Sequence, residues 1–156
     1  DISYQEGGGK FNYRVCAVMV HEGKLLAMRD ERSPYYYLPG GRVKLRETAE
    51  DAVLRGSGVL GIAAAIRRPL WLNQGFFTED VDRLRYHELC LYFLMDFAGT
   101  DLLARGQSFR RDEGVHSHQF TWLPFESLAD AYFYPIFLKE AIFHLPEAFT
   151  LRTAVE

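Results

Sequence analysis

At 156 residues, with 48% apolar and 25% charged residues, the chain reads as one globular domain spanning residues 1–156 and excludes wholesale disorder. A formal net charge of −3 gives no general attraction to nucleic acid or to an anionic membrane, although paired arginines (Arg67-Arg68, Arg110-Arg111) leave room for a local basic pocket. No stretch approaches the roughly 20 apolar residues of a membrane span, and Asp1 to Gly9 lacks a basic-then-apolar leader pattern, so the cytoplasm is the expected location.

The predicted elements follow in chain order. Residues 11–20 are rich in strand formers and end at His21-Glu22-Gly23-Lys24. Leu25 to Arg29 resumes the pattern, which predicts a hairpin. Asp30 to Pro34 is a polar loop, and Pro39-Gly40-Gly41 reads as a turn. Thr48 to Arg55 reads as a short helix: Thr48 is a candidate N-cap with Asp51 three residues on, and Ala49, Ala52 and Val53 give a buried face. Gly56-Ser57-Gly58 should stop it, because each glycine costs roughly 1 kcal/mol relative to alanine in a helix.

Beyond the helix, Ile62–Leu72 contains a strand broken at Pro69, and Leu84–Phe97 contains another. Asp112 and Glu113 fall in a polar loop before a short strand at Phe120–Pro124. A brief helix near Glu126–Ala131 and a longer one near Pro135–His144 close the chain. Strands in the first two-thirds, one helix among them and helices at the end predict an α/β fold with a mixed sheet between helices. Cys16 and Cys90 lie in apolar runs with no CxxC pair, which reads as two buried, reduced thiols.

The informative stretch is Leu38 to Ile62, LPGGRVKLRETAEDAVLRGSGVLGI. It resembles the signature of the Nudix hydrolase family: Gly, five residues, Glu, seven residues, Arg-Glu, an aliphatic, any residue, Glu-Glu, any residue, Gly, an aliphatic. Gly41, Glu47 and Arg55 match that spacing, and Leu60-Gly61-Ile62 matches its close. The flanking hairpin, the aromatic-Leu-Pro-Gly-Gly entry and the Trp-Leu-Pro strand extend the likeness over residues 11 to 144. The resemblance implies the Nudix fold and divalent-metal-dependent hydrolysis of nucleoside diphosphates linked to another moiety. Mg²⁺ or Mn²⁺ would neutralise the diphosphate and activate water through oxygen ligands.

The same stretch departs from the signature where the metal is held. Between Arg55 and Leu60 stand Gly56, Ser57, Gly58 and Val59, four residues for five, with no carboxylate. Hydrolysis should therefore be impaired. A lineage that lost catalysis and kept a binding cleft would leave this gap. So would an engineered or erroneous replacement, since Gly-Ser-Gly resembles a designed linker.

What remains of the site by resemblance is Glu47, Arg55 and Glu113 as catalytic residues, with the Gly41 carbonyl, Glu47 and Glu113 on the metal. Gly40, Gly41, Arg42, Tyr37 and Glu88 are the candidate substrate-binding residues: glycines for close backbone approach, a tyrosine to stack a base, a strand glutamate facing the site. Each has a plainer reading. Glu47, Glu50 and Asp51 are either a carboxylate cluster or acids that favour a helix N-terminus. Glu88 is either a site residue or a solvent-facing one, and His116 and His118 share a strand face as surface histidines or as a weak metal signal. The expected partner is a small nucleotide-diphosphate-type molecule. The rival to an enzyme is an inactive module binding a nucleotide diphosphate or sugar-nucleotide, and the aromatic-rich C-terminal segment is a candidate homodimer surface.

Overall fold

The computed structural model describes residues 1–156. Its strands are β1 (Ser3–Glu6), β2 (Gly9–Val18), β3 (Val20–His21), β4 (Lys24–Asp30), β5 (Gly40–Arg42), β6 (Ala65–Thr78), β7 (Arg85–Asp96), β8 (Ser108–Glu113), β9 (His116–Pro124) and β10 (Thr150–Val155). Two helices, α1 (Ala49–Ser57) and α2 (Leu138–Ala141), accompany them.

The first sheet has the order β1-β2-β7-β6-β10, with β5 on the same edge of β2 as β1. It is mixed, because β2 runs parallel to β7 and β10 parallel to β6 while the other pairs are antiparallel. The second sheet, β3-β4-β9-β8, is antiparallel throughout.

Alternation along β2 sets the layers. Val15 and Ala17 point into a core shared with Ala52 and Val53 of α1 and with Phe120 and Trp122 of β9. Cys16 and Val18 point the other way, into a second core with Leu128, Phe133, Leu138 and Ile142 from the C-terminal segment. Strands buried on both faces carry near-continuous apolar runs, which is what residues 15–19 and 89–95 are. The α/β arrangement is as expected, but the second helical layer is thin. A 3₁₀ turn over Phe125–Asp130 stands where the brief helix near Glu126–Ala131 was expected, and a single turn of α2 replaces the longer helix expected at Pro135–His144. Pro135, Pro146 and the aromatics among them favour packing turns over a regular helix.

Other expectations need correction. β6 runs unbroken past Pro69, which sits between two register shifts against β7, where a bulge spares the ladder hydrogen bond proline cannot make. Gly40 and Gly41 are strand residues paired with Cys16 and Val15 rather than a turn. Asp112 and Glu113 lie on β8, opposite Ser117 and His116, not in a loop. No helix is long and apolar enough to cross a membrane.

Candidate functional site

The start of α1 is built as its sequence suggests. The Thr48 hydroxyl accepts from the Asp51 amide at 3.0 Å, and Glu50 and Asp51 lie in the first turn, where acids complement the helix dipole. Glu47 is clasped from both sides. Arg55 donates to its two carboxylate oxygens at 2.9 Å each, and the Lys44 amide donates at 3.0 Å. Arg55 also donates to the Arg42 carbonyl at 2.9 Å, tying the helix to β5. The Arg55 hydrogen bonds, with help from the Lys44 amide, hold the Glu47 carboxyl down at about 2. Glu47 is thus an arginine-bound carboxylate, and its oxygens are committed.

The far end of α1 falls within the expected Gly56-Ser57-Gly58 segment: the α-helix ends at Ser57 with Gly58 as its C-cap, and a 3₁₀ turn over Gly58–Leu60 follows. Gly56 lies against the backbone of Gly40: a Cβ there would stand 2.7 Å from the Gly40 carbonyl carbon and oxygen. Gly40 in turn has no room for a Cβ beside the Val15 carbonyl. The two glycines let α1 and β5 meet backbone to backbone. Ser57 is buried and donates to the Leu54 carbonyl at 3.2 Å, and Leu60 is fully buried in the first core. The segment is therefore part of the packing and not a flexible linker, and glycine is required at position 56 by space.

Two arginines finish this end. Arg105 donates to the Leu60 carbonyl at 2.5 Å and Arg111 to the Val59 carbonyl at 3.2 Å. They supply positive charge at a helix C-terminus, where it is favoured. Gly61 has a left-handed backbone (φ 66°), and the Arg111 guanidinium fills the space its side chain would need.

Glu113 is exposed on β8, with Oε1 3.7 Å from His118 Nε2. No group of three His, Cys, Asp or Glu residues could hold a metal ion. Of the metal set expected from the resemblance, Glu47 is bound by Arg55 and the Lys44 amide, and Glu113 lies beside His118. His116 pairs with Glu31 at 2.7 Å, so the two histidines form no metal pair either.

The opposite face of the first sheet holds a cavity of about 670 Å³. Its floor comes from alternate residues of successive strands: Asn12, Arg14 and Cys16 of β2, Tyr86, Glu88 and Tyr92 of β7, and Asn73, Gly75 and Phe77 of β6. The loops at 30–38, 78–82 and 134–135 form its walls. Tyr37, Arg42 and Glu88 all line it, so three of the five expected substrate-binding residues converge; Gly40 and Gly41 do not reach it. None of the paired arginines lines it. The expectation of a solvent-facing Glu88 also fails, because β7 lies at the centre of the sheet.

The polar groups of the cavity are arranged in pairs. Glu88 faces Arg14 across 3.8 Å, and burial pushes its carboxyl above the usual range against the pull of Arg14 and the Asn12 amide. Burial works against the Asp30 charge too, but hydrogen bonds from Arg32 (2.7 Å) and Tyr37 (2.8 Å) overcome it and hold Asp30 at about 2. At the rim, Tyr35 donates to Glu79, Tyr132 and Tyr134 to Asp80, and Tyr86 to Asp82. Asn73 was missed in the sequence, since a single Asn in an apolar strand carries no local signal. It is only 5% exposed, and its Oδ1 has no hydrogen-bond partner in the protein.

No family model and no curated protein matches the sequence. Solved structures do match the fold. An ADP-ribose pyrophosphatase from Streptococcus suis superposes with a TM-score of 0.61 at 13% identity, over 92% of this chain and 98% of that one. The fold of this chain is the Nudix hydrolase fold. A Nudix hydrolase from Nitrosomonas europaea gives 0.58 at 16% identity, over 93% and 79% of the two chains. The Escherichia coli ORF135 protein gives 0.58 at 24%, over 90% and 94%. On this Nudix scaffold, Glu47 and Arg55 form a structural clasp and the residues after Arg55 are given over to packing.

Proposed function

We propose that this chain is a nucleotide-binding module on the Nudix hydrolase fold, holding a nucleoside diphosphate or a diphosphate-linked conjugate with little or no hydrolysis. The observation that carries this reading is the end of α1. Where the signature has its run of glutamates, this chain has Gly56 pressed on Gly40, a buried Ser57 and a half-buried Val59, with arginines on the Val59 and Leu60 carbonyls. The one carboxylate the signature shares, Glu47, accepts three hydrogen bonds from the protein itself. Diphosphate hydrolysis by this fold's signature residues needs oxygen donors that gather cations, and that donor set is missing.

Binding is supported by the cavity. It is of the size that takes a nucleoside, is walled by tyrosines and Phe77, and has Arg42 as the cation nearest the Gly40–Gly41 strand, where a diphosphate would lie. The neighbouring structure named as an ADP-ribose pyrophosphatase makes a diphosphate conjugate a reasonable probe.

The test is titration calorimetry of the intact chain with Mn²⁺ and with the methylene analogue of ADP-ribose, each alone and together, beside an assay for phosphate-ester release. Binding of the analogue without stoichiometric Mn²⁺ and without turnover is the expected result. Metal-dependent cleavage of the parent conjugate at rates typical of an enzyme would replace this reading with the hydrolase one.

A further inference from the structure

We infer that β10 is an interface strand: two copies of this chain pair edge to edge through it, antiparallel about a two-fold axis at Thr153, and join their first sheets into one. The contact is independent of the nucleotide reading. Leu151, Thr153 and Val155 lie on the face of the sheet turned away from the cavity, whereas Ala154 and Glu156 line it. The homodimer surface expected in the aromatic-rich C-terminal segment falls instead on the strand that follows it.

A strand at the end of a sheet presents unpaired N–H and C=O groups, and proteins guard such edges with brevity, charge or proline. The other sheet ends of this chain are guarded. β3 is two residues long, β1 is four and closes on Glu6, and β8 carries Arg110, Arg111, Asp112 and Glu113 in succession. β10 reads Thr-Leu-Arg-Thr-Ala-Val, with one charge and no proline. That charge does not guard the edge: the Arg152 guanidinium is laid over the Phe137 ring, 3.9 Å from its centroid, with Nε buried.

The strand is complementary to itself, and this singles out a second copy as its occupant. The Glu156 N–H donates to the Phe76 carbonyl at 2.8 Å. Alternate residues turn their backbone groups to the same side, so Arg152, Ala154 and Glu156 face β6, and Leu151, Thr153 and Val155 turn theirs outward. An isologous pair about a two-fold axis perpendicular to the sheet runs antiparallel. Centred on Thr153, it sets the outward groups of Leu151 against those of Val155 of the second copy, and Thr153 against itself. The side chains agree with that register. Leu151 is 64% exposed and Val155 79%, next to Leu72 and Phe76 of β6, so the pairing joins two apolar stripes into one. Thr–Thr and apolar β-branched cross-strand pairs are favourable. Arg152 falls opposite Ala154 and diagonal to Glu156 of the second copy; centred one residue earlier, two arginines would stand directly opposite, which is unfavourable.

The experiment is sedimentation velocity of the intact chain at concentrations up to about 100 µM, repeated on Thr153→Lys and Thr153→Pro, with thermal melts of each variant at low concentration. The parent should sediment as a reversible dimer. Thr153→Lys places like charges together at the axis, and Thr153→Pro removes an outward N–H that β6 does not use. Each should weaken dimerisation at least about tenfold while the melt of the dilute chain is kept. The register is read with single cysteines under oxidised glutathione. Thr153→Cys should form an interchain disulfide, since directly opposed residues of a hydrogen-bonded pair have Cα atoms about 5.5 Å apart. Leu151→Cys should not, because the two copies of that residue stand about 13 Å apart along the strands. A monomer at every concentration, or a dimer that survives both substitutions at Thr153, would overturn the inference. Equal crosslinking of the two cysteine variants would overturn it as well.

Discussion

The end of α1 and the cavity behind the first sheet lie on opposite faces of β2, and they treat their polar potential in opposite ways. At the helix end every group is spent. Glu47 is clasped, the carbonyls of Val59 and Leu60 carry arginines, and Gly56 leaves no volume against Gly40. In the cavity, Asn73 Oδ1 is buried without a hydrogen-bond partner, Arg14 stands 3.8 Å from Glu88, outside hydrogen-bond range, and Gly75 contributes no side chain. A region that is satisfied contributes stability, whereas one holding unsatisfied groups gives up some stability in return for the capacity to bind. The difference supports the proposed reading, in which the cavity binds and the helix end is structural, the reverse of what the signature residues suggest.

The largest effect is expected from Gly56→Ala. The added carbon would stand 2.7 Å from Gly40 backbone atoms on a paired strand, and neither α1 nor β5 can move without breaking contacts to β2. A loss of about 3 kcal/mol, at the upper end for overpacking, should appear in urea unfolding, despite alanine's better helix propensity. Glu at this position should be no better tolerated, so restoring that one signature residue would cost the fold before it could help chemistry. An alanine variant as stable as the parent would mean that the helix end is not tightly packed.

A smaller effect, confined to acid, is expected from the clasp. Glu47 is held at about 2, below the usual range for glutamate of roughly 4.3. A depressed carboxylate contributes stability above its unfolded value, and that contribution is lost as pH falls from about 4.5 towards 2. Melting temperatures across that window should drop less steeply for Glu47→Gln than for the parent. Because the pair lies at the surface, with the Arg55 side chain 40% exposed, 0.15 M salt should weaken the difference. Parallel curves would show that Arg55 holds Glu47 no better than water does.

How much of this was legible in the sequence differs between the two regions for a physical reason. Local features were readable: the Thr48 cap, the buried face at Ala52 and Val53, and the strand runs of β2 and β7. The cavity was only half readable. Tyr37, Arg42 and Glu88 were named, but Asn73 and Gly75 take their meaning from register, through Cys90 and Glu88 across the sheet, and no single strand encodes that. Gly56 was read only as part of the helix stop, because its packing role depends on Gly40, sixteen positions earlier in the chain. β1 and β10 went unseen, being short edge strands whose apolar residues, such as Leu151 and Val155, are exposed and give no buried alternation. The metal residues were carried over by likeness alone: Glu47 is bound by Arg55, and Glu113 lies on β8 in the second sheet.

The smallest effect on stability is expected where the comparison is sharpest, at Gly75→Ala. This glycine has an ordinary negative φ, and the new carbon would meet Asn73 Nδ2 at 3.3 Å, Phe77 Cε1 at 3.7 Å and the Glu88 carbonyl at 3.8 Å. Only the first is tight, and it is the movable end of a side chain. Alanine also restricts the unfolded chain more than glycine does, which offsets the slight crowding. The unfolding free energy should change by no more than about 0.5 kcal/mol, in contrast to the loss at Gly56 from the same one-carbon addition. A pair of urea curves on Gly56→Ala and Gly75→Ala measures that contrast directly. If the two variants lose stability equally, the cavity floor is as closely packed as the helix end, and the division between a structural face and a binding face fails.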